Sequence, residues 1–176
     1  MEEYATDVLE AIRGRRSIRM YLSTPVETEK IRAILEAGQW APSSANQQPW
    51  HFVVVTDSTT RKKLAEAHSH GRFMAESPVV FVVLSDPKRE PRYHLADAHN
   101  AVENMLLAAY SLGLGSCWMG VRDTQIEPRF REILGIPEEL RVVCSVAVGY
   151  SAIKPTSTRF PLDQIVSYEM FGAKKK

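Results

Sequence analysis

Val79 to Leu84 is the longest unbroken apolar run in the chain. It falls far short of the roughly 20 residues a membrane-spanning helix needs, and Pro78 and Ser85 bracket it as a strand. A strand that is apolar on both faces must be covered on both, so Pro78 to Ser85 belongs in the middle of a sheet. The remaining elements have to supply that cover.

Trp50 to Thr56 is β-branched and aromatic and reads as a second strand; Arg141 to Val148 is a further full strand and Ser116 to Met119 a short one. Asp7 caps a short helix through about Arg13, with Glu10 at N3 and Val8, Ala11 and Ile12 on one face; Gly14 ends it. Thr28 to Gln39 is a second helix, with Ile31, Ile34, Leu35 and Gly38 toward the core. Asp57-Ser58 caps another through about His68. Leu95 to Leu112 is the longest helix, with a broad apolar stripe of Ala98, Ala101, Val102, Met105, Leu106, Ala109 and Leu112, stopped by Gly113 and Gly115. Asp123 or Thr124 caps a helix through Leu134, which Gly135-Ile136-Pro137 ends. From Ser151 onward two prolines and no helical period predict an extended arm.

With 176 residues, 44% of them hydrophobic, and no repeat or linker, these elements make one α+β domain, 1–176, whose residues 151–176 form the C-terminal arm. The 22 Lys+Arg against 21 Asp+Glu exclude a disordered chain of high net charge and argue against nucleic acid as a partner. Lys174 to Lys176 reads as a frayed, solvated tail. Met1-Glu2-Glu3 offers no basic or apolar region of a signal peptide, so a cytoplasmic protein without membrane partners is expected. Cys117 and Cys144 are expected as buried free thiols.

Familiar catalytic arrangements are missing from the sequence. There is no G-x-S-x-G elbow and no Walker loop, and Gly113-x-Gly115 follows a helix instead of a strand. His68, His70, His94 and His99 match no metal-ligand spacing, and solvated or capping histidines are expected with no metal. What stands out is a density of anion-binding donors. Arg15, Ser17 and Arg19 alternate, so in an extended chain they share one face, and Arg suits phosphate through bidentate, charge-assisted bonds. A solvated basic turn paired with Glu is the other reading of this stretch. Ala41 to Pro49, rich in Ser, Asn and Gln, is a loop that either caps itself tightly or walls a polar, planar ligand.

Together these stretches resemble the FMN-dependent nitroreductase family. The R-x-S-x-R pattern followed by an aromatic matches Arg15, Ser17, Arg19 and Tyr21. A-P-S-x-x-N-x-Q-P-W matches Ala41, Pro42, Ser43, Ser44, Asn46, Gln48, Pro49 and Trp50, and G-L-G-x-x-W-x-G matches Gly113, Leu114, Gly115, Trp118 and Gly120. Arg159 and Pro161 match R-x-P in the arm.

The resemblance implies a mixed, mostly antiparallel sheet flanked by helices, in an intertwined homodimer with two FMN sites at its interface. It makes the stripe of the long helix an interface, where ordinary core is the alternative. It implies Arg15, Arg16, Ser17 and Arg159 at the FMN phosphate and ribityl chain, and Arg19 and Arg72 at the flavin N1–C2=O edge. Pro42, Ser43, Ser44 and Asn46 would reach the flavin across the interface, and Met119 and Gly120 would offer backbone donors near N5 beside Trp118. Where the family often carries a Lys two residues before the arm's Arg, this chain has Ser157. The implied activity is hydride transfer from NADH or NADPH through flavin N5 to a small-molecule acceptor such as a nitroaromatic or quinone, by a ping-pong route. A flavin carrier or sensor without turnover, and a specialised reductase such as a dehalogenase, are the alternatives.

Overall fold

The computed structural model describes residues 7–174. In chain order they form α1 (Val8–Gly14), α2 (Thr28–Gln39), a 3-10 turn (Ser44–Asn46), β1 (Trp50–Val55), α3 (Ser58–Ala67), a second 3-10 turn (Arg72–Ala75), β2 (Val79–Ser85), α4 (His94–Ser111), β3 (Gly115–Gly120), α5 (Ile126–Leu134), β4 (Arg141–Gly149) and α6 (Leu162–Ile165).

The strands form one antiparallel sheet in the order β1-β2-β4-β3. Every residue of β2 is buried, as its two apolar faces require. Alternation along β2 divides the interior in two. Val80, Val82 and Leu84 pack with Leu64 of α3 and Phe130 of α5, while Val79, Phe81 and Val83 pack with Ile34 of α2 and with α4. A mixed sheet was expected; among the described residues the parallel pairing is confined to an isolated bridge between Ser17 and Ser116. The reason is that the 15–22 segment pairs with β3 only at that bridge and then turns to pair Tyr21 with Ser151 in the antiparallel sense.

Local chemistry sets most boundaries. The Asp7 carboxylate accepts from the Leu9 N–H, and Asp57 does the same for Thr60. Gly135 closes α5 in the left-handed region. Thr124 Oγ1 accepts from the Ile126 N–H at 3.2 Å, and α5 begins after it.

Three expectations need correction. The α4 stripe is not free for an interface: Ala98, Ala101, Val102, Met105, Leu106 and Ala109 are buried in this chain's own core. Of the α1 face only Ala11 is buried, and Val8 and Ile12 are exposed, because the helix touches the body along one narrow line against α4. Lys174 is not frayed, since its ammonium donates to the Asp163 carbonyl; Lys175 and Lys176 lie outside the described residues, as do Met1 to Glu3.

Exposed apolar side chains gather on α1 and on the arm, where Phe160, Leu162, Ile165 and Phe171 stand out of the surface. No helix among the described residues is long and apolar enough to cross a membrane.

Candidate functional site

The Arg15–Arg19 segment is held by backbone. Ile18 N–H donates to Ser116 O at 2.9 Å, and Tyr21 Oη donates to the Ile18 and Ala147 carbonyls. Gly115 permits this approach: a Cβ there would lie 2.7 Å from Ile18 Cγ1. Ile18 is buried, so alternation turns Arg15, Ser17 and Arg19 to the other side. All three act on the Cys117 thiol. Burial pushes that thiol's pKa up, while Arg19, a hydrogen bond with Ser17 and Arg15 pull it down. Cys117 and Cys144 are both buried and free, and burial pushes Cys144 up to about 12.

Arg15 Nε faces Glu103 Oε1 at 3.5 Å, an ion-pair contact with no hydrogen bond at that buried nitrogen. Arg16 turns back on α1, its Nη1 donating to the Arg13 and Arg15 carbonyls at 2.6 and 2.7 Å, and its Nε is also buried without a partner. Both arginines border a cavity of ≈ 550 Å³ closed by Tyr110, Ser116, Ser151 and Lys154. Arg19 reaches the other way, its guanidinium carbon 6.0 Å from the centre of the Phe73 ring in the turn that Arg72 opens.

At the far end of β3, Met119 is buried and Trp118 is partly exposed. The Trp118 indole lies over Gly120, where a Cβ would meet it at 3.3 Å. His99 stands beside it, with ring centres 6.1 Å apart. His94 meets Ser85 Oγ through Nδ1 at 2.8 Å; burial, then Arg141 and Arg122, lower its pKa. Histidines were expected to be solvated or capping; His68 is the C-cap residue of α3, but its ring is buried and bonds to the Gly120 carbonyl at 3.1 Å.

The Pro42–Asn46 loop is strained. Ala45, Asn46 and Gln48 all have positive φ, at 46°, 56° and 48°. It is held by the buried Asp97 at the start of α4, whose two oxygens accept from the Ser44 N–H at 3.2 and 3.1 Å. Ser43 Oγ accepts from the Gln48 N–H at 2.9 Å, and Asn100 Nδ2 reaches the Pro42 carbonyl at 3.4 Å.

Arg15 and Arg16 line a cavity with Gly115 and Ser116 of β3, Ser17 and Arg19 lie close to Cys117 of β3, and Trp118, Met119 and Gly120 end that strand, while Arg72 is placed only in the turn after α3. Two predicted parts stand apart. Among the described residues no hydrogen bond joins the Pro42–Asn46 loop to the 15–19 segment. Arg159 Nη1 donates to Ser157 Oγ at 2.8 Å and to Thr158 O at 2.9 Å, both in its own arm.

Sequence reasoning missed Glu103 and Lys154. It weighed Asp97 only as a metal ligand, and His68 as a metal ligand or a solvated or capping ring, not as the buried hydrogen-bonding groups they are. Asp97 left a signal, since it stands four residues before Ala101 and eight before Met105, in line with the buried face of α4. A carboxylate there has to be partnered.

Comparison with known proteins identifies the family. A family model described as the Nitroreductase family matches residues 12–70 and 67–150. A protein of Archaeoglobus fulgidus named as a candidate NADH dehydrogenase/NAD(P)H nitroreductase is 42% identical over 149 residues, covering 82% of this chain and 85% of its own. Among solved structures, a candidate nitroreductase in complex with FMN from Desulfovibrio desulfuricans is 36% identical with a TM-score of 0.83, over 94% of this chain and 98% of that one. An FMN-dependent nitroreductase of Clostridium difficile has a TM-score of 0.82 at 31% identity, over 92% of this chain and 95% of that one. With the match running from within α1 through β4 and a relative 42% identical over 82% of this chain, the chain belongs to the nitroreductase family.

Proposed function

We propose that this protein is an FMN-dependent oxidoreductase that draws electrons from NADH or NADPH and passes them to nitroaromatic, quinone or similar small acceptors. The observation that carries the reading is the pair of buried Arg15 and Arg16 guanidinium nitrogens without acceptors beside one cavity at the start of β3. The donor set fits the cofactor. Buried guanidinium nitrogens of Arg15 and Arg16 without hydrogen-bond acceptors, beside a ≈ 550 Å³ cavity with Lys154 on its wall, suit a phosphate.

When bound, FMN supplies the two-electron chemistry between the nicotinamide and the acceptor. The chain's own residues bind and tune. Arg15, Arg16 and Ser17 hold the phosphate end, with Arg159 joining from the arm. Arg19 and Arg72 would hold the N1–C2=O end and stabilise negative charge on it, each charge-assisted bond contributing roughly 1.5–3 kcal/mol. For a two-electron couple about 1.4 kcal/mol corresponds to roughly 30 mV, so such bonds raise the potential appreciably. Met119 and Gly120 would offer backbone groups to the opposite edge, with Trp118 beside them.

The active form we propose is a homodimer in which Pro42, Ser43, Ser44 and Asn46 of a second copy close the site. The exposed apolar side chains of α1 and the arm support it, since a lone chain leaves them in water. One open face then serves both substrates in turn, because the described residues form no separate nucleotide-binding unit.

Three measurements test this. Purified protein should show the absorption of bound FMN, which anaerobic NAD(P)H should bleach without an acceptor. Double-reciprocal plots should be parallel; intersecting lines would indicate a second substrate site. Sedimentation at micromolar concentration should give a dimer, and an FMN-loaded species of one chain's 19.8 kDa would sink the shared site.

A further inference from the structure

His68 closes α3 and is buried, its ring edge-on to Phe130 with centres 6.4 Å apart. Its two nitrogens have different partners. Nδ1 accepts from the His70 backbone N–H at 3.2 Å, which leaves the proton on Nε2, and Nε2 donates to the Gly120 carbonyl at 3.1 Å. The neutral ring is fully used. Its backbone is engaged too, because the His68 carbonyl accepts from the Gly71 N–H at 2.9 Å. The turn is tight: a Cβ on Gly71 would lie 2.8 Å from His68 Cβ. Arg72 follows directly. At the other end, Gly120 is the last residue of the β3–β4 ladder, and the next two N–H groups, of Val121 and Arg122, both turn to the Val143 carbonyl.

One imidazole thus ties the turn that carries Arg72 to the end of β3, 52 residues later in the chain. We infer that His68 is a positioning residue that fixes the Gly120 peptide relative to Arg72, and so sets where the two edges of the flavin ring sit. The inference rests on the FMN reading above. His68 touches neither cofactor nor substrate in this scheme. It acts through Gly120 at one nitrogen and through the Arg72 turn at the other.

The test separates the two nitrogens. His68→Asn keeps an acceptor near the Nδ1 position and cannot reach Gly120, whereas His68→Gln places an amide N–H near the Nε2 position. Both are compared with the wild-type holoenzyme for the midpoint potential and visible spectrum of bound FMN and for kcat/KM with NADH. His68→Asn should shift potential and spectrum and lower kcat/KM roughly three- to tenfold, the weight of one neutral hydrogen bond. His68→Gln should stay within about twofold of wild type, because it restores the Gly120 bond while the residue 68 carbonyl still holds the Gly71 N–H of the Arg72 turn.

Equal flavin shifts in both variants, or lower thermal stability in both with the flavin unmoved, overturn the inference. Should His68→Asn not fold, nitrogen-15 spectra of the wild-type ring decide. A proton on Nε2 whose resonance moves when FMN is stripped supports the role. A proton on Nδ1, or a ring indifferent to FMN, overturns it. Wild-type protein that fails to bind added FMN overturns the cofactor reading itself, a result distinct from all of these.

Discussion

Replacing Asp97 by alanine should loosen one loop and leave the rest of the fold in place. The carboxylate is 4% exposed, and both its oxygens accept from the Ser44 N–H. The loop it holds contains three non-glycine residues with positive φ, Ala45, Asn46 and Gln48. Such a residue costs roughly 1–2 kcal/mol, so the loop stores strain on the order of 3–6 kcal/mol. Against this stand a hydrogen bond to an ionised carboxylate, roughly 1.5–3 kcal/mol, and the Gln48 N–H to Ser43 Oγ bond, about 1 kcal/mol.

The two sides nearly balance, so the loop depends on Asp97. Losing the carboxylate should speed amide hydrogen exchange at residues 44–48 by roughly 10- to 150-fold, at about 1.4 kcal/mol per decade. Asp97→Asn retains a neutral acceptor and should stay below about tenfold. FMN binding should weaken in Asp97→Ala as well, through the loop's place in the shared site. Unchanged protection at residues 44–48 in Asp97→Ala would refute the reasoning, and so would a uniform loss of protection across the whole chain.

Acid should destabilise the fold through Glu127. Burial alone would raise that carboxyl's pKa, but hydrogen bonds from Arg141 and from the Asp123 and Val142 N–H groups bring it from 4.5 down to about 2. A lowered folded-state pKa gives stability that is present above about 4.5 and lost as pH falls toward 2, on the order of 3 kcal/mol at about 1.4 kcal/mol per pH unit. Urea midpoints at pH 6 and pH 3 should therefore converge in Glu127→Gln, and an equal fall in variant and wild type would count against the assignment. Gly115→Ala should cost about 1–3 kcal/mol, because its Cβ meets the buried Ile18 side chain. It should also weaken FMN binding by displacing the 15–19 segment, and a fully stable variant with unchanged affinity would contradict this. Arg15→Ala should weaken FMN roughly tenfold or more and riboflavin far less; equal losses in a fluorescence titration would sink its phosphate role.

Elements whose determinants are local were legible in the sequence. The α2 boundaries follow from apolar spacing, and β2 from an apolar run with no polar face. The Asp7 and Asp57 caps and the Gly135 stop are chemistry within a few residues of each helix end. The alternation of Arg15, Ser17 and Arg19 was legible for the same reason, since one residue of offset decides the face. Residues related by distance in the chain were not. Asp97 meets Ser44 across 53 residues and His68 meets Gly120 across 52, and nothing in the spacing of either pair announces the contact.

The α4 stripe shows the same limit from another side. Periodicity established that Ala98, Ala101 and Met105 share a face, and only the sheet beneath them determined that the face is filled by this chain. Arg16 turns onto the carbonyls that end α1, and Arg159 bonds within its arm, because a guanidinium takes the nearest acceptors its backbone offers. Local pattern determined which elements form and which way their side chains alternate. Tertiary structure decided which polar groups are buried together, because burial depends on what packs opposite, and that partner lies elsewhere in the chain.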